Sequence, residues 1–525
     1  MSGISIGVIG GGASAVCLVD ALARERGGPG SVTVFEPSPN LWRGRAYQVD
    51  TEVIKVNATP DDMSARVGDL HHFERWLEIR ERVADDAGHV DAYSGARFVP
   101  RTVYGEYLEQ TAYTALGELR RQGWRVDLVG TAVTGARRTD RHVLLGTGGT
   151  GGTGGTGGTG GTGGASAGAF DYVVLCVGGD GPRDVYGLTG APGFVADPYP
   201  VSGNLRHVGE RQDVAVVGSG LTAVDIILHL AAQGHQGRIT LLSRRGVLPA
   251  VRQRPRELEL RHLTKRHLRA LAGQRRELSV EDFTALVRAE LVDAGADLDA
   301  IRAEILDVES EPPVARLRRQ LAAVDSPDPG LRILQRAVPD IGPDVWPLLP
   351  ERDRAALLRS HYRTVMSLCC PMPPSSAARL LELVDEGRLE VRSGLRKVAV
   401  RSGGGFELVT DGEVIGADMV INAVNASEDR IPATARPLVT ALTRGGAVSP
   451  HPHGGLRLAR ETSRLIAGGT PDPRLYGLGT IGAGALFFTF GIPSLVDRSE
   501  DIVAAILQHA QAGDSARSED VLLPA

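Results

Sequence analysis

The sequence predicts an α/β fold made of two Rossmann-like units with a helical insertion, and three observations carry that expectation. The first is the turn Ile6-Gly7-Val8-Ile9-Gly10-Gly11-Gly12-Ala13-Ser14-Ala15, which follows a β-branched run and opens a helix. The second is Val214-Ala215-Val216-Val217-Gly218-Ser219-Gly220-Leu221-Thr222-Ala223, the same device roughly two hundred residues later. The third is a strongly helical Arg- and Leu-rich stretch over about 255–360, interrupted by the loop Ser326-Pro327-Asp328-Pro329-Gly330 and punctuated by Trp346-Pro347-Leu348-Leu349-Pro350. Both turns have the form G-x-G-x-x-A. Gly10 and Gly218 make the tight turn, Gly12 and Gly220 let backbone approach a pyrophosphate, and the small Ala15 and Ala223 let helix pack closely on strand. One such turn is a weak signal; two in one chain predict two dinucleotides and hence redox chemistry.

In the first unit, strand Ile6–Ile9 leads into a helix ending near Arg26, and Ser31-Val32-Thr33-Val34-Phe35-Glu36 is the next parallel strand. Glu36 stands about twenty residues past the turn, where a carboxylate accepts hydrogen bonds from an adenosine ribose and repels a 2′-phosphate. This site suits FAD or NAD. In the second unit, strand Arg238–Leu242 runs into Ser243-Arg244-Arg245. A hydroxyl and two guanidiniums there suit a 2′-phosphate. NADPH is expected at the second site.

The strand Val173–Val177 ends in Gly178-Gly179 and resembles the chain crossover of two-dinucleotide flavoproteins. Met419-Val420-Ile421-Asn422-Ala423-Val424-Asn425 plays the same part in the second, with Asn422 and Asn425 where glycines often stand. The Thr-Gly-Gly tract over 146–164 cannot bury a core, and its β-rich flanks make it an expanded hairpin turn without chemistry. Late in the chain, Arg474–Gly479 is another strand stopping on glycine, followed by Thr480 and a helix from about Ser494 to Gln508; this resembles the late strand of two-dinucleotide flavoproteins, a resemblance that implies a return to the first unit with the helix's positive end at the flavin oxygens.

Composition narrows the function classes. A hydrophobic fraction of 42% and a net charge of −5 describe a globular chain with no basic field for nucleic acid and no polybasic membrane patch. Lys55, Lys265 and Lys397 are the only lysines, a bias read as genome composition. A core strand within the first ten residues leaves no room for a signal peptide, and the most apolar stretch, Val214 to Leu230, is broken by Asp225 and His229. Four cysteines predict a reducing, cytoplasmic location, and no C-x-x-C is present for a disulfide reductase. His451-Pro452-His453 has no third ligand nearby, so no metal is expected.

Further motifs carry a family resemblance. Gly44-Arg45-Ala46-Tyr47, Val56-Asn57-Ala58 with Met63-Ser64 and His72-Phe73-Glu74-Arg75-Trp76-Leu77, and Phe98-Val99-Pro100-Arg101-Thr102-Val103-Tyr104-Gly105-Glu106-Tyr107-Leu108 resemble blocks of the FAD/NAD(P)-binding flavoproteins related to FAD-dependent urate hydroxylase and nitrosuccinate synthase, the aspartate N-monooxygenase. The resemblance implies that Arg45, Asn57 and Arg101 approach FAD, with Gly479 and Thr480 beside the flavin. It also implies an NADPH-dependent monooxygenase that forms a C4a-hydroperoxyflavin from O₂ and oxygenates a small polar substrate, an amine or amino acid. Reductase or C-hydroxylase activity and plain flavin binding are the alternatives. Since the cofactor carries the chemistry, no catalytic side chain is singled out. Tyr104, Phe487 and Phe488 are candidates for the substrate pocket, with core packing as their other reading. The expected organisation is an FAD domain over 1–200 and 431–512, an NADPH domain over 201–254 and 361–430, a helical insertion over 255–360 that could form a lid, and a polar tail over 513–525.

Overall fold

A computed structural model describes residues 3–25, 28–84, 89–148, 165–274, 277–424, 430–489 and 491–521. Two parallel sheets dominate. The first holds six strands in the order Arg464–Ala467, Thr470–Gly477, Tyr172–Leu175, Ser5–Ile9, Ser31–Phe35, Arg125–Val129, parallel except for the edge strand Arg464–Ala467. The second holds five parallel strands, Leu389–Arg392, Ile239–Leu242, Val214–Val217, Met419–Asn422 and Phe194–Val195. Both centre on near-continuous apolar strands, as a sheet covered on both faces requires. Helices Ala13–Arg24, Arg101–Arg121 and the first part of Ile492–Val521 cover one face of the first sheet.

Both units build their turn the same way. Gly10 N–H donates to Phe35 O at 2.9 Å, and Gly218 N–H donates to Leu242 O at 2.8 Å. Cys176 returns a bond to Ile9 O (2.8 Å), and Ala423 returns one to Val217 O (2.7 Å). At each first glycine the backbone is left-handed, φ +103° at Gly10 and +119° at Gly218. A Cβ would lie 2.2 Å from Cys176 O at the first turn and 2.3 Å from Ala423 O at the second. The close approach of the crossover strand, as well as the turn itself, therefore demands glycine.

The strands flanking the Thr-Gly-Gly tract, Val143–Thr147 and Ala165–Phe170, pair antiparallel in a small sheet with Val133–Arg138; residues 149–164 of the tract lie outside the described residues. Asp171 divides this ribbon from Tyr172–Leu175, its carboxylate accepting from Ser5 N–H and Oγ–H. Asn422 donates to Arg183 O and Ala196 O, both at 3.2 Å, and so ties the segment linking the two units to the crossover strand; Asn425 lies outside the described residues.

Four boundaries differ from the sequence-based expectation. Phe194–Val195 adds an edge strand to the second sheet, so that unit begins before residue 200. The insertion runs on through helix Tyr362–Cys369, whose Leu368 and Cys369 pack in the same apolar cluster as Leu331, Trp346 and Leu349. The helix expected from Ser494 to Gln508 spans Ile492–Val521, helical backbone running past Gly513. In the first unit the helix stops at Arg24 with Glu25 extended.

Candidate functional site

The N-termini of helices Ala13–Arg24 and Leu221–Ala232 begin at Gly12 and Gly220, and neither has a side-chain cap nor an acidic residue in its first turn. Their first N–H groups are thus left to a ligand, with the positive end of each helix dipole behind them. Gly12 has only Gly44 Cα within 3.5 Å of a notional Cβ, and Gly220 has nothing within 4 Å. Both second glycines therefore border open space where a phosphate can approach the backbone.

A cleft of about 520 Å³ opens at the first turn and reaches the start of the helix that follows the second; Gly218, Gly220 and Arg244 are not among the residues lining it. Gly10, Gly12, Glu36, Arg45, Arg101, Gly479 and Thr480 line it, and Leu221 and Thr222 reach it from the second unit. Glu36 is fixed by backbone: its two carboxylate oxygens accept from Gly11 N–H and Ser38 N–H, each at 2.8 Å. Lone pairs remain on both oxygens for ribose hydroxyls. Gly479 (φ +86°) turns the late strand so that Thr480 Oγ1 can donate to Gly178 O, joining it to the crossover at Gly178-Gly179. Ile492 and Leu495, on the first turn of the last long helix, close the far wall. These features fit a dinucleotide with a planar ring system: a glycine cradle, a fixed carboxylate at ribose distance and an apolar wall.

Arg45 and Arg101 both stand against the Tyr199 ring, 5.4 Å and 5.8 Å from its centroid. Arg45 binds Asp197 bidentately at 2.5 and 2.7 Å. Arg101 is more deeply set. It donates to Lys55 O (3.2 Å) and Tyr199 Oη (3.3 Å), and pairs with Asp225 at 2.7 Å, with side chains 17% and 7% exposed. Burial works against the Arg101 charge, but the Asp225 carboxylate overcomes it and holds the guanidinium charged above its ordinary range. Burial pushes Asp225 upward from the carboxylate range, opposed by Arg101 and by the Tyr199 hydroxyl that donates to it. This pair spans the two units, since Arg101 starts a helix of the first and Asp225 lies on the glycine-turn helix of the second.

Sequence reasoning missed Tyr47, Tyr199 and Asp225 as site residues. The signal for Asp225 was present: a lone carboxylate in the apolar helix Leu221–Ala232 needs a buried partner.

Several expected residues lie elsewhere. Tyr104 is fully buried, donates to Met63 O at 2.7 Å and packs on Tyr47, Phe73 and Tyr107, so it sits in the core beneath the cleft rather than in a substrate pocket. Phe487 stacks on Trp346 (4.6 Å) and Phe488 packs edge-on to Phe487, both inside the apolar cluster of the insertion. Phe487 holds a left-handed φ of +66°, a strain that such packing must sustain. Asn57 is not among the residues lining the cleft; its carbonyl accepts from Arg252 Nε at 2.8 Å. Ala15 and Ala223 are fully buried where helix meets strand. Arg244 and Arg245 lie exposed past strand Ile239–Leu242; Arg245 pairs with Glu309 of the insertion at 2.7 Å, leaving Arg244 as the guanidinium without an ion pair among the described residues. All four cysteines are free thiols, and Cys369 donates to Leu334 O. Among the described residues no helix is long and apolar enough to cross a membrane.

The architecture is an α/β fold with two parallel sheets, similar to that of flavin monooxygenases of known structure. A family profile described as FAD-NAD(P)-binding matches residues 7–180. The chain is similar in structure to ornithine N-hydroxylase of Kutzneria sp. 744, solved with reduced FAD, NADP⁺ and L-ornithine (TM-score 0.56, 14% identity, covering 97% of this chain and 100% of that one). It is likewise similar to the FAD-bound cadaverine monooxygenase of desferrioxamine biosynthesis from Erwinia amylovora (0.58, 13%, 96% and 95%). A third such structure is L-lysine 6-monooxygenase of Pseudomonas syringae (0.55, 16%, 97% and 99%). A comparison with curated proteins found no match.

Proposed function

We propose that this protein is an NADPH-dependent flavin monooxygenase that N-hydroxylates a small amine or amino acid. One observation carries the reading: a single cleft is walled by the helix N-termini of both glycine turns, so two dinucleotides bound there would bring their reactive rings together. The three similar structures, all N-hydroxylating or amine monooxygenases, support the same reaction class. The Val99-Pro100-Arg101 and Tyr104-Gly105 blocks support a place near the urate hydroxylase and nitrosuccinate synthase group within it.

In this reading Gly10, Gly12, Glu36, Arg45, Gly479 and Thr480 hold FAD, and Gly218, Gly220 and Arg244 hold NADPH. Bound FAD would supply hydride acceptance and oxygen activation. Overall, amine, O₂, NADPH and a proton give hydroxylamine, water and NADP⁺. The chain's own part is to bind and orient. Glu36 fixes a ribose, the two uncapped helices neutralise phosphates, and Tyr47, Leu495 and Ile492 exclude water from the ring end of the cleft. The Arg101–Asp225 pair holds the two units at a fixed relative orientation.

Anaerobic NADPH should bleach the bound flavin, and admitting oxygen with an amine substrate should give hydroxylamine in step with NADPH consumed. Consumption that yields only hydrogen peroxide with every amine tried would overturn the assignment. Arg244→Ala should raise KM for NADPH about tenfold or more over any change for NADH, since a charge-assisted contact of roughly 1.5–3 kcal/mol is lost only with the 2′-phosphate. Equal effects on both nucleotides would remove Arg244 from that role.

A further inference from the structure

Where strand Ile239–Leu242 ends, the second unit meets two parts of the insertion. One is the segment 309–313: Glu309 binds Arg245 at 2.7 Å, and a Cβ on Gly246 would lie 3.2 Å from Pro313. The other is helix Tyr362–Cys369, which is tied down through Ser367. Ser367 Oγ donates to Leu248 O at 2.6 Å, and Ser367 O accepts from Ala250 N–H at 3.0 Å. The buried Arg316 guanidinium donates to the same Leu248 O and Ser367 Oγ, at 3.4 and 3.2 Å, and so fixes the contact.

The two stretches run side by side in one direction, since Val251 bridges Met372 in parallel just beyond. Followed backward, the same alignment brings Arg363 toward Arg244. Arg363 lies one helical turn before Ser367 and shares its face. On the other side the chain is compact, because Gly246 N–H donates to Ser243 Oγ at 2.8 Å and turns Arg244 and Arg245 back toward the helix.

Three guanidiniums thus meet one carboxylate, and Arg245 takes it. Arg244 is exposed and Arg363 half-buried, and neither makes an ion pair among the described residues. Burial and then the Arg244 charge hold the Arg363 guanidinium below its ordinary range, against the pull of Tyr362 and Glu309. Like charges gathered in a partly dry place repel, and an anion between them removes that cost. A phosphate monoester carries about −1.5 to −2 at neutral pH and offers its oxygens to two guanidinium forks at once. An aromatic ring adjoins the pair. Tyr186 packs on the apolar cluster of Val217, Leu242 and Leu395, and the Arg244 charge opposes the upward push of burial on its hydroxyl. A ring beside the phosphate seat favours a nucleotide over a free phosphate, because a base can lie on it.

Resting on the NADPH reading above, we propose that Arg363 of the insertion, together with Arg244, grips the 2′-phosphate, so that the nucleotide site of the second unit is complete only with the insertion docked on it. Arg245, the neighbour of Arg244 in sequence, is a strut that holds segment 309–313 in place.

Calorimetric titration of the flavin-loaded protein tests this with 2′,5′-ADP against 5′-AMP and inorganic phosphate. The first should bind about tenfold or more tighter than 5′-AMP, and tighter than inorganic phosphate. Arg363→Met keeps the bulk of the stem and drops the charge; it should weaken 2′,5′-ADP about tenfold and leave 5′-AMP within about twofold. Arg363→Lys keeps the charge and loses the fork, so it should lose about threefold, and it carries the test should Arg363→Met fail to fold. The double variant Arg245→Met with Glu309→Gln removes a neutral pair and should leave the preference within about twofold. A loss shared equally by both nucleotides, no loss in either Arg363 variant, a double variant as impaired as Arg363→Met, or inorganic phosphate bound as tightly as 2′,5′-ADP would overturn the proposal. The parent protein separates the two readings. If it prefers 2′,5′-ADP and the Arg363 variants keep that preference, only the Arg363 assignment falls; if it has no preference, the NADPH assignment falls with it.

Discussion

Asp225→Ala is expected to destabilise the protein by about 3–5 kcal/mol, the cost of leaving Arg101 charged and enclosed without its partner. The Arg101 side chain is only 17% exposed, and its remaining acceptors, Lys55 O and the Tyr199 hydroxyl, are neutral. Loss of the carboxylate also frees the Tyr199 hydroxyl, so the whole network between the two units goes at once. Denaturant unfolding measures the effect. The double variant Arg101→Met with Asp225→Ala should recover much of the loss, because no unpaired charge remains. A single-variant loss below about 1 kcal/mol would show that water screens the pair as it does at an open surface.

Gly10→Ala is expected to cost about 2–5 kcal/mol and to abolish flavin retention. The backbone there has φ +103°, outside the range an L-residue adopts readily, and the new methyl would meet Cys176 O at 2.2 Å. The obstacle is backbone in the middle of the sheet, which cannot rotate aside. Gly12→Ala is the matched control: its Cβ would sit 3.5 Å from Gly44 Cα, an ordinary contact, so the fold should survive while cofactor affinity falls. Thermal unfolding and the flavin-to-protein absorbance ratio check both. A Gly10→Ala protein as yellow and as stable as the parent would rule out the close approach of the crossover strand.

Much of the architecture was legible because its signals are local. A β-branched run, G-x-G-x-x-A and an apolar helix need only neighbours in sequence to be recognised, and the position of Glu36 at the end of its strand, where it lines the cleft, follows from counting along the unit. Side chains whose fate depends on distant packing were not legible. Phe487 and Phe488 look the same in sequence whether they wall a pocket or fill a core, and only Trp346, well over a hundred residues earlier, decides for the core. Tyr104 follows the same rule, since Tyr47 rather than Tyr104 reaches the cleft. Arg245, expected beside a 2′-phosphate, pairs with Glu309 of the insertion, a partner that its sequence neighbourhood did not announce.

By itself the sequence determined two dinucleotide-type βαβ units, their order along the chain and the glycines each turn demands, because strand, turn and helix are set by short-range sterics and periodicity. Only the tertiary structure decided that Arg101 pairs with Asp225, that the cleft at the first glycine turn reaches the helix following the second, and that Arg252 and Asp62 face a shared pocket. Those outcomes depend on long-range burial, where charges far apart in sequence must find each other because water no longer screens them.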